Sequence, residues 1–170
     1  KPGPGPDALQ GTGSPDVQRR PAIGGCVVPY RKWPNGAMVF HEMITQGKSI
    51  TSKAAAEIGI IKKITAEYIA LIQEAVAEVK RLKGKIGRIL DGKIEIPDIT
   101  VPQNPVAGDL VLSKEAVSQV VKTIRDGAAS KSFAKALEIG YEGFGEMACM
   151  DAAKEGISAF LEKKTPKYRK

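Results

Sequence analysis

The residues best placed to bind an ion lie at the C-terminus. Residues 161–170 hold five basic side chains against the single acid Glu162, so they carry four of the seven net positive charges of the chain. A cluster of this kind can hold an anionic group such as a phosphate, although most basic tails are simply solvated. We therefore treat this end of the chain as a candidate anion site.

Few other residues suggest chemistry. His41 is the only histidine, and no partner acid or nucleophile lies near it in the sequence, so we expect it to have a structural role. Cys26 and Cys149 show neither metal-type nor redox-type spacing, so we expect two reduced thiols and no metal site.

The basic end follows a predicted helix over residues 151–164. Asp151 can serve as its N-cap, and apolar residues recur at helical spacing behind it. Gly156 would cost such a helix about 1 kcal/mol relative to Ala, so packing or a ligand must favour it. The predicted apolar stripe consists of Ala153, Ile157, Phe160 and Leu161.

The first apolar segments are short and separated by glycine. We predict a turn at Gly24 and Gly25, a helix over residues 37–46 that ends at Gly47, and a helix over 50–59 that begins at Thr51 and ends at Gly59. Residues 60–64 suit a strand. Core candidates in the first helix are Met38, Phe40, Met43 and Ile44.

Longer helices follow. The apolar period predicts one over residues 65–83, one from Ser113 to Gly127, and one over 132–147 with Tyr141 and Phe144 in the core. Residues 84–112 form a connector with a weak strand signal at 94–96.

Composition and charge limit the classes of partner. The chain has 170 residues, of which 42% are hydrophobic. No apolar run reaches the roughly 18 residues of a membrane span, and no signal peptide is visible, so we expect a cytoplasmic protein with no membrane partner. The cations are not interleaved with aromatic residues, so we expect no nucleic-acid partner. Residues 1–21 are rich in proline and glycine and are predicted to be disordered or foreign to the domain.

Two motifs in the sequence are similar to those of a known superfamily. The first runs from Gly24-Gly25 through Gly47, Thr51 and Gly59, and the second is the closing segment Lys154-Glu155-Gly156, Ala159-Phe160, Glu162-Lys163. Residues 22–170 thus resemble the C-terminal half of the crotonase (enoyl-CoA hydratase/isomerase) superfamily. The resemblance implies an α/β fold, the crotonase/ClpP-like spiral, of which this chain would hold the mostly α-helical C-terminal part with one or two short strands.

The resemblance also implies a chemistry. Members bind an acyl-CoA thioester, stabilise its enolate with an oxyanion hole, and move protons with carboxylates. It implies no cofactor other than coenzyme A as part of the substrate, and a homo-oligomer, a trimer or a dimer of trimers. Residues 22–112 would be the end of the crotonase core, and 113–170 the trimerisation and CoA-lid region.

Individual residues receive roles from this resemblance. It implies that Phe160 packs on adenine and that Lys163 pairs with a phosphate of coenzyme A; the alternatives are a core phenylalanine and a solvated lysine. Gly24 and Gly25 would form a turn near the active site. Asp16, which follows Pro15, is the nearest counterpart of a catalytic acid, although coincidence is the stronger explanation.

Three functions remain open at this level. The segment Ala136–Lys164, the Val27–Pro34 loop and the long connector look like the 6-oxocyclohex-1-ene-1-carbonyl-CoA hydrolases of anaerobic benzoyl-CoA breakdown, which add water to a conjugated ring thioester and open the ring. An ordinary enoyl-CoA hydratase or isomerase is the second possibility. The third is a non-catalytic oligomerisation fragment that lacks the N-terminal half of such an enzyme.

Overall fold

The computed structural model describes residues 24–168 and is mostly helical in that range. Its backbone separates into two compact units, which within the described range are Thr51–Arg88 and residues 24–50 with 89–168. The α-helices are α1 Val28–Lys32, α2 Ala37–Gln46, α3 Ser52–Glu57, α4 Tyr68–Leu82, α5 Lys114–Ala129, α6 Phe133–Cys149 and α7 Asp151–Leu161; the strands are β1 Val106–Ala107 and β2 Leu110–Val111. The predicted spiral fold and the predicted boundaries at residues 21/22 and 112/113 stay predictions.

The smaller unit begins with a short, well-capped helix. The Thr51 hydroxyl accepts a hydrogen bond from the amide of Ala54. Gly59 takes a left-handed conformation, with a φ of 77°. The amide of Ile60 donates to Ala55 O at 2.9 Å, which completes a C-terminal cap of the Schellman type. The predicted caps are confirmed, but the predicted strand over 60–64 is wrong: the amides of Ile60 and Ile61, its first two residues, both donate to Ala55 O and close α3.

Helix α4 packs its polar face, not its apolar face, against its own unit. Lys62 forms an ion pair with Glu78 at 2.7 Å, and Lys63 forms another with Glu74. Hydrogen bonds from Arg81 and Lys62 lower the pKa of Glu78 to about 2. No residue of α4 is buried. The predicted helix is therefore confirmed, with its apolar side left uncovered.

The larger unit is centred on the packing of α5 against α6. Ser113 caps α5 as predicted, and its hydroxyl accepts from the amide of Ala116. Gly143 of α6 lies over Thr123 of α5, where a Cβ on the glycine would be 2.9 Å from Thr123 Cγ2 and closer still to Oγ1. The absence of a side chain at Gly143 thus sets how closely the two helices approach. The core residues of α5 are Ala116, Val117, Val120, Val121, Ile124 and Ala128.

Helix α2 and the two strands form a second layer of this unit. Gly47 ends α2 in a left-handed conformation at φ 66°, and a Cβ there would lie 3.2 Å from Ala107 Cβ of β1. The strands pair antiparallel, Val106 with Val111. Within α2, Phe40 is buried as predicted, but Met38 and Met43 are exposed.

A buried arginine joins α1 to the end of α5. Arg31 is 1% exposed, and its Nη1 donates to Leu90 O at 3.0 Å and Gly92 O at 2.7 Å. Its Nη2 donates to Gly127 O at 2.8 Å and Ser130 O at 3.3 Å. The last carbonyls of a helix lack internal partners, so the guanidinium supplies donors where α5 needs them. We call this arrangement the Arg31 clamp.

Three expectations from the sequence are wrong in the region around the clamp. The Val27–Pro34 loop contains the helix α1, which places Arg31 and buries Tyr30. Gly127 does not end α5, which continues to Ala129; a Cβ at Gly127 would lie 3.3 Å from Val27 Cγ2, so the glycine permits close packing. Residues 94–96 form no strand, because the Ile94 amide donates to Ala128 O at 2.9 Å.

Helix α6 starts at the clamp and carries α7. The Asp91 carboxylate accepts from the amide of Phe133 at 2.6 Å, and the Ser132 hydroxyl accepts from Lys135. The predicted helix is confirmed and runs two residues further, to Cys149. Tyr141 and Phe144, however, are exposed and do not belong to the core.

Replacing Gly143 by Ala should destabilise the larger unit by about 1–3 kcal/mol, because the new methyl group overlaps Thr123 and the helices must separate. Gly145→Ala is the matched control: nothing lies within 4 Å of a Cβ at that position of the same helix, so this variant should be neutral or slightly more stable. Denaturant unfolding followed by the fluorescence of Trp33 measures both. Equal stability of the two variants would contradict close packing at Gly143.

Replacing Arg31 by Met should cost more than about 3 kcal/mol, since it leaves four carbonyl oxygens without donors in a buried region. Arg88→Met, at an exposed arginine with no ion pair among residues 24–168, should change stability little. The same unfolding assay compares them. A small, equal effect of both substitutions would show that the clamp does not hold the unit together.

Candidate functional site

The candidate site is formed by α7 and the residues that follow it. A single residue, Met150, separates α7 from the end of α6. It is the N-cap of α7 and its side chain makes no capping hydrogen bond. Asp151 is therefore the first helical residue, not the predicted N-cap, and it forms only an exposed pair with Lys154 at 3.5 Å. The single linking residue between the helices leaves no position for Asp151 outside the helix.

Lys163 ends α7 in an unusual way. Its φ is 55°, and it is the only non-glycine residue with positive φ among residues 24–168. The amide of Lys163 donates to Phe160 O at 3.2 Å, and the amide of Lys164 donates to Ala159 O at 2.8 Å. This pattern is a Schellman cap, in which glycine normally takes the left-handed position. The helix consequently ends at Leu161, three residues before the predicted end.

The large apolar residues of α7 are exposed, and its small apolar residues are on the covered side. Ala159 is only 7% exposed, whereas Phe160 is 49% exposed, Ile157 62% and Leu161 74%. The predicted apolar stripe exists as a pattern, but it faces outward. The possibility that Phe160 is a core residue is thus wrong.

The segment after the helix covers the small-residue side of α7. The amide of Lys167 donates to Glu155 Oε1 at 2.6 Å, and Pro166 is buried. A Cβ at Gly156 would lie 3.1 Å from the Tyr168 hydroxyl oxygen. The returning chain therefore packs closely against the glycine inside this helix.

The lysines at the end of α7 differ in their surroundings. Lys164 pairs with Glu162 at 2.6 Å. Lys163 is exposed and forms no ion pair within residues 24–168. An exposed lysine without an ion pair in this range thus follows the exposed Phe160 by three residues at the end of one helix, and two such side chains together are able to contact a planar anionic ligand.

The predicted turn at Gly24 and Gly25 is present. The amides of Val27 and Val28 donate to Gly24 O at 3.1 and 2.8 Å, and this turn leads directly into α1. Its position near an active site stays a prediction. Asp16 lies outside the described residues.

His41 is held on both ring nitrogens. Tyr30 Oη lies 2.9 Å from Nδ1, and Nε2 lies 3.2 Å from Pro97 O. A carbonyl can only accept, so Nε2 carries the proton and Nδ1 accepts from the tyrosine hydroxyl. Burial lowers the pKa of His41 and raises that of Tyr30. The expected structural role of this histidine is consistent with both contacts.

Residues 24–168 hold no group of three or more His, Cys, Asp or Glu side chains that could bind a metal ion. Burial raises the pKa of the Cys26 thiol to about 11, so this cysteine is protonated and unreactive at neutral pH. Over the same range, no helix combines the length and the apolar character that crossing a membrane requires.

Sequence analysis identified Phe160 and Lys163 as residues but missed the backbone conformation of the lysine. Lys163 is left-handed because α7 ends at Leu161, two residues before it. The apolar pattern instead predicts that the helix continues to residue 164. The one local signal is the drop in apolar character after Leu161.

The chain is similar to a solved structure, at low sequence identity. No protein-family model and no curated protein matches the chain. Among solved structures, the chain is similar to an enoyl-CoA hydratase from Polaromonas sp. JS666, with 21% sequence identity and a TM-score of 0.33. The similarity covers 88% of this chain and 46% of that one, so the chain spans less than half of that enzyme. We draw no inference about activity from a likeness of this size.

The stability of the larger unit should fall as the pH is lowered below about 6.5. The pKa of His41 is lower in the folded state, so the unfolded chain takes up the proton first as the pH falls. The free energy of unfolding then decreases by up to about 1.4 kcal/mol per pH unit. The contribution is complete above the unfolded pKa and is lost progressively as the pH falls from there to the lower folded pKa. Because His41 is the only histidine, His41→Gln should flatten the slope between pH 7.5 and about 5.5, measured by denaturant unfolding. An unchanged slope in the variant would contradict this assignment.

Proposed function

We propose that this chain is part of an acyl-CoA-binding enzyme of the crotonase superfamily, and that the end of α7 covers the nucleotide end of the thioester. In this proposal the exposed ring of Phe160 packs on adenine and Lys163 pairs with a phosphate. The sequence motifs at residues 24–64 and 154–163 support the superfamily assignment.

The observation that carries the proposal is the backbone conformation of Lys163. A left-handed conformation costs a residue with a Cβ about 1–2 kcal/mol, and glycine would avoid that cost. A strained lysine without an ion pair in the described range indicates that the cation has a use. Since Lys164 is already paired with Glu162, Lys163 is the one of these two lysines that is available to a ligand.

The exposed apolar side of α7 supports the same proposal. Ile157, Phe160 and Leu161 would be costly to leave in water, whereas a planar base or an apolar partner surface would cover them. Phe160 lies in the last turn of α7 and Lys163 lies two residues beyond the helix, so a ring and a cation at the same helix end can contact a base and a nearby phosphate of one ligand.

The reaction we propose is the addition of water to a conjugated enoyl-CoA thioester. For the substrate, the resemblance of Ala136–Lys164 supports 6-oxocyclohex-1-ene-1-carbonyl-CoA, with ring-opening hydrolysis; an ordinary enoyl-CoA hydratase or isomerase is the alternative. The described residues supply the ligand cover, and the acid–base and oxyanion groups are not among them. Supplying both thioesters to the full-length enzyme and measuring loss of the conjugated absorbance would separate the two substrates.

Replacing Lys163 by Gly should have opposite effects on stability and on ligand binding. The free energy of unfolding should rise by up to about 1 kcal/mol, because the left-handed strain is removed. Retention on immobilised coenzyme A should fall several-fold, because the phosphate loses its partner. Lys163→Asn, which removes the charge at a residue type that tolerates this conformation, should also weaken retention.

Two controls make the experiment specific. Lys131→Gln removes an exposed charge elsewhere in the same unit, and Tyr141→Ala removes an exposed ring from α6; neither should alter retention, whereas Phe160→Ala should weaken it. If Lys163→Gly and Phe160→Ala both retain coenzyme A as the unmodified chain does, the proposed cover is wrong.

A further inference from the structure

The starting observation is the outward-facing apolar side of α4. Five large apolar residues lie within one arc of this helix: Tyr68 is 73% exposed, Ile69 65%, Ile72 46%, Val76 48% and Val79 71%. They recur at i, i+1, i+4, i+8 and i+11, which places them on one side at 3.6 residues per turn. The arc is therefore a continuous strip about 16 Å long.

The opposite side of α4 carries its ion pairs. The Glu74 and Glu78 carboxylates bind Lys63 and Lys62 of the preceding segment. All four side chains are partly exposed, and exposed ion pairs contribute little to stability. The pairs therefore mark the polar side of the helix, and the apolar strip lies on the other side, where no residue of α4 is buried.

Unpaired cations continue from the end of the strip. Between Glu78 and Asp91 the sequence contains five basic residues and no acid. Arg81 pairs with Glu78, but the other four are exposed and form no ion pair within residues 24–168. These four are Lys80, Lys83, Lys85 and Arg88. Ile86, 79% exposed, lies among them. We call residues 80–88 the basic segment.

We propose that α4 and the basic segment bind the surface of an anionic lipid bilayer, with the apolar strip in the headgroup boundary and the cations against lipid phosphates. An amphipathic helix that lies in the plane of the membrane combines exactly these two features: an apolar side, and cations for anionic headgroups. The ion-paired side, with Glu74 and Glu78 neutralised by lysines, would face away from the surface.

The two features together favour a bilayer over other partners. A nucleic acid would use the cations but leave the apolar strip in water. A second copy of the chain would cover the strip but leave the four cations of each copy uncompensated, and a parallel pair would bring the two basic segments together. A surface contact also needs no long apolar run, and the sequence-based expectation of no membrane partner rested on the absence of such a run.

Flotation of the full chain with lipid vesicles tests the proposal. The chain should float with vesicles of phosphatidylcholine and phosphatidylglycerol at about 0.1 M salt, remain unbound with phosphatidylcholine alone, and dissociate at about 1 M salt, where charges are screened. Lys83→Gln with Lys85→Gln should weaken binding about twentyfold. Ile72→Gln with Val76→Gln should weaken it by a similar or larger factor, with the helical content unchanged by circular dichroism.

A charge-matched control and two competing outcomes complete the design. Lys53→Gln with Lys131→Gln removes the same charge outside the basic segment and should leave flotation within about twofold. The proposal is overturned if the chain does not float with anionic vesicles, or if the control weakens binding as much as the Lys83/Lys85 variant. Self-association that Ile72→Gln with Val76→Gln abolishes, without flotation, would instead assign the strip to a second copy. Oligonucleotide binding that this same variant leaves intact, again without flotation, would assign the cations to nucleic acid.

Discussion

The packing of the larger unit depends on the hydrogen bonds of the buried Arg31 guanidinium. Moving a cation out of water costs several kcal/mol, and no carboxylate of residues 24–168 offsets it by a hydrogen bond to Arg31. Four backbone carbonyls do so instead, two of them at the C-terminal end of α5, where the helix dipole favours a positive charge. Burial lowers the pKa of Arg31 while the charge of Asp91 raises it, and the guanidinium stays charged because its ordinary pKa is so high. An apolar side chain of equal size would fill the space but leave the carbonyls without donors.

The clamp also determines where the candidate site lies. The carbonyls of Leu90 and Gly92 fix the segment on either side of Asp91, and the Asp91 carboxylate in turn caps α6. Helix α6 packs on α5 through the gap left by Gly143, and α7 follows α6 after one residue. The position of Lys163 is thus linked, through these hydrogen bonds and the packing of α6 on α5, to a side chain more than a hundred residues earlier. A change at Arg31 would reach the end of α7 only through these intermediate contacts.

Sequence reasoning found most of the local caps, although not that of α7, and missed the contacts between distant residues. Thr51, Ser113, Gly47 and Gly59 were predicted correctly because a cap depends on a few adjacent residues. The Arg31 clamp joins residues 59 to 99 positions apart, and no pattern in the sequence marks such partners. The strand over 60–64 failed because a cap competed for its amides. The apolar periods of α4 and α7 were correct, but a period shows only that a helix has two sides, not which side its own chain will cover.

That last distinction separates the two exposed strips. On α7 the chain returns through Tyr168 over the small-residue side, and the strained Lys163 follows the exposed Phe160 by three residues, which suits a compact ligand with a single base and nearby phosphates. On α4 two ion pairs hold the polar side, and four unpaired cations extend over nine residues, which suits a broad surface and no single small molecule. Both helices are amphipathic to a similar degree, so hydrophobicity does not distinguish their partners. The spacing of the free cations does, because a point charge and a line of charges are neutralised by anions of different shape.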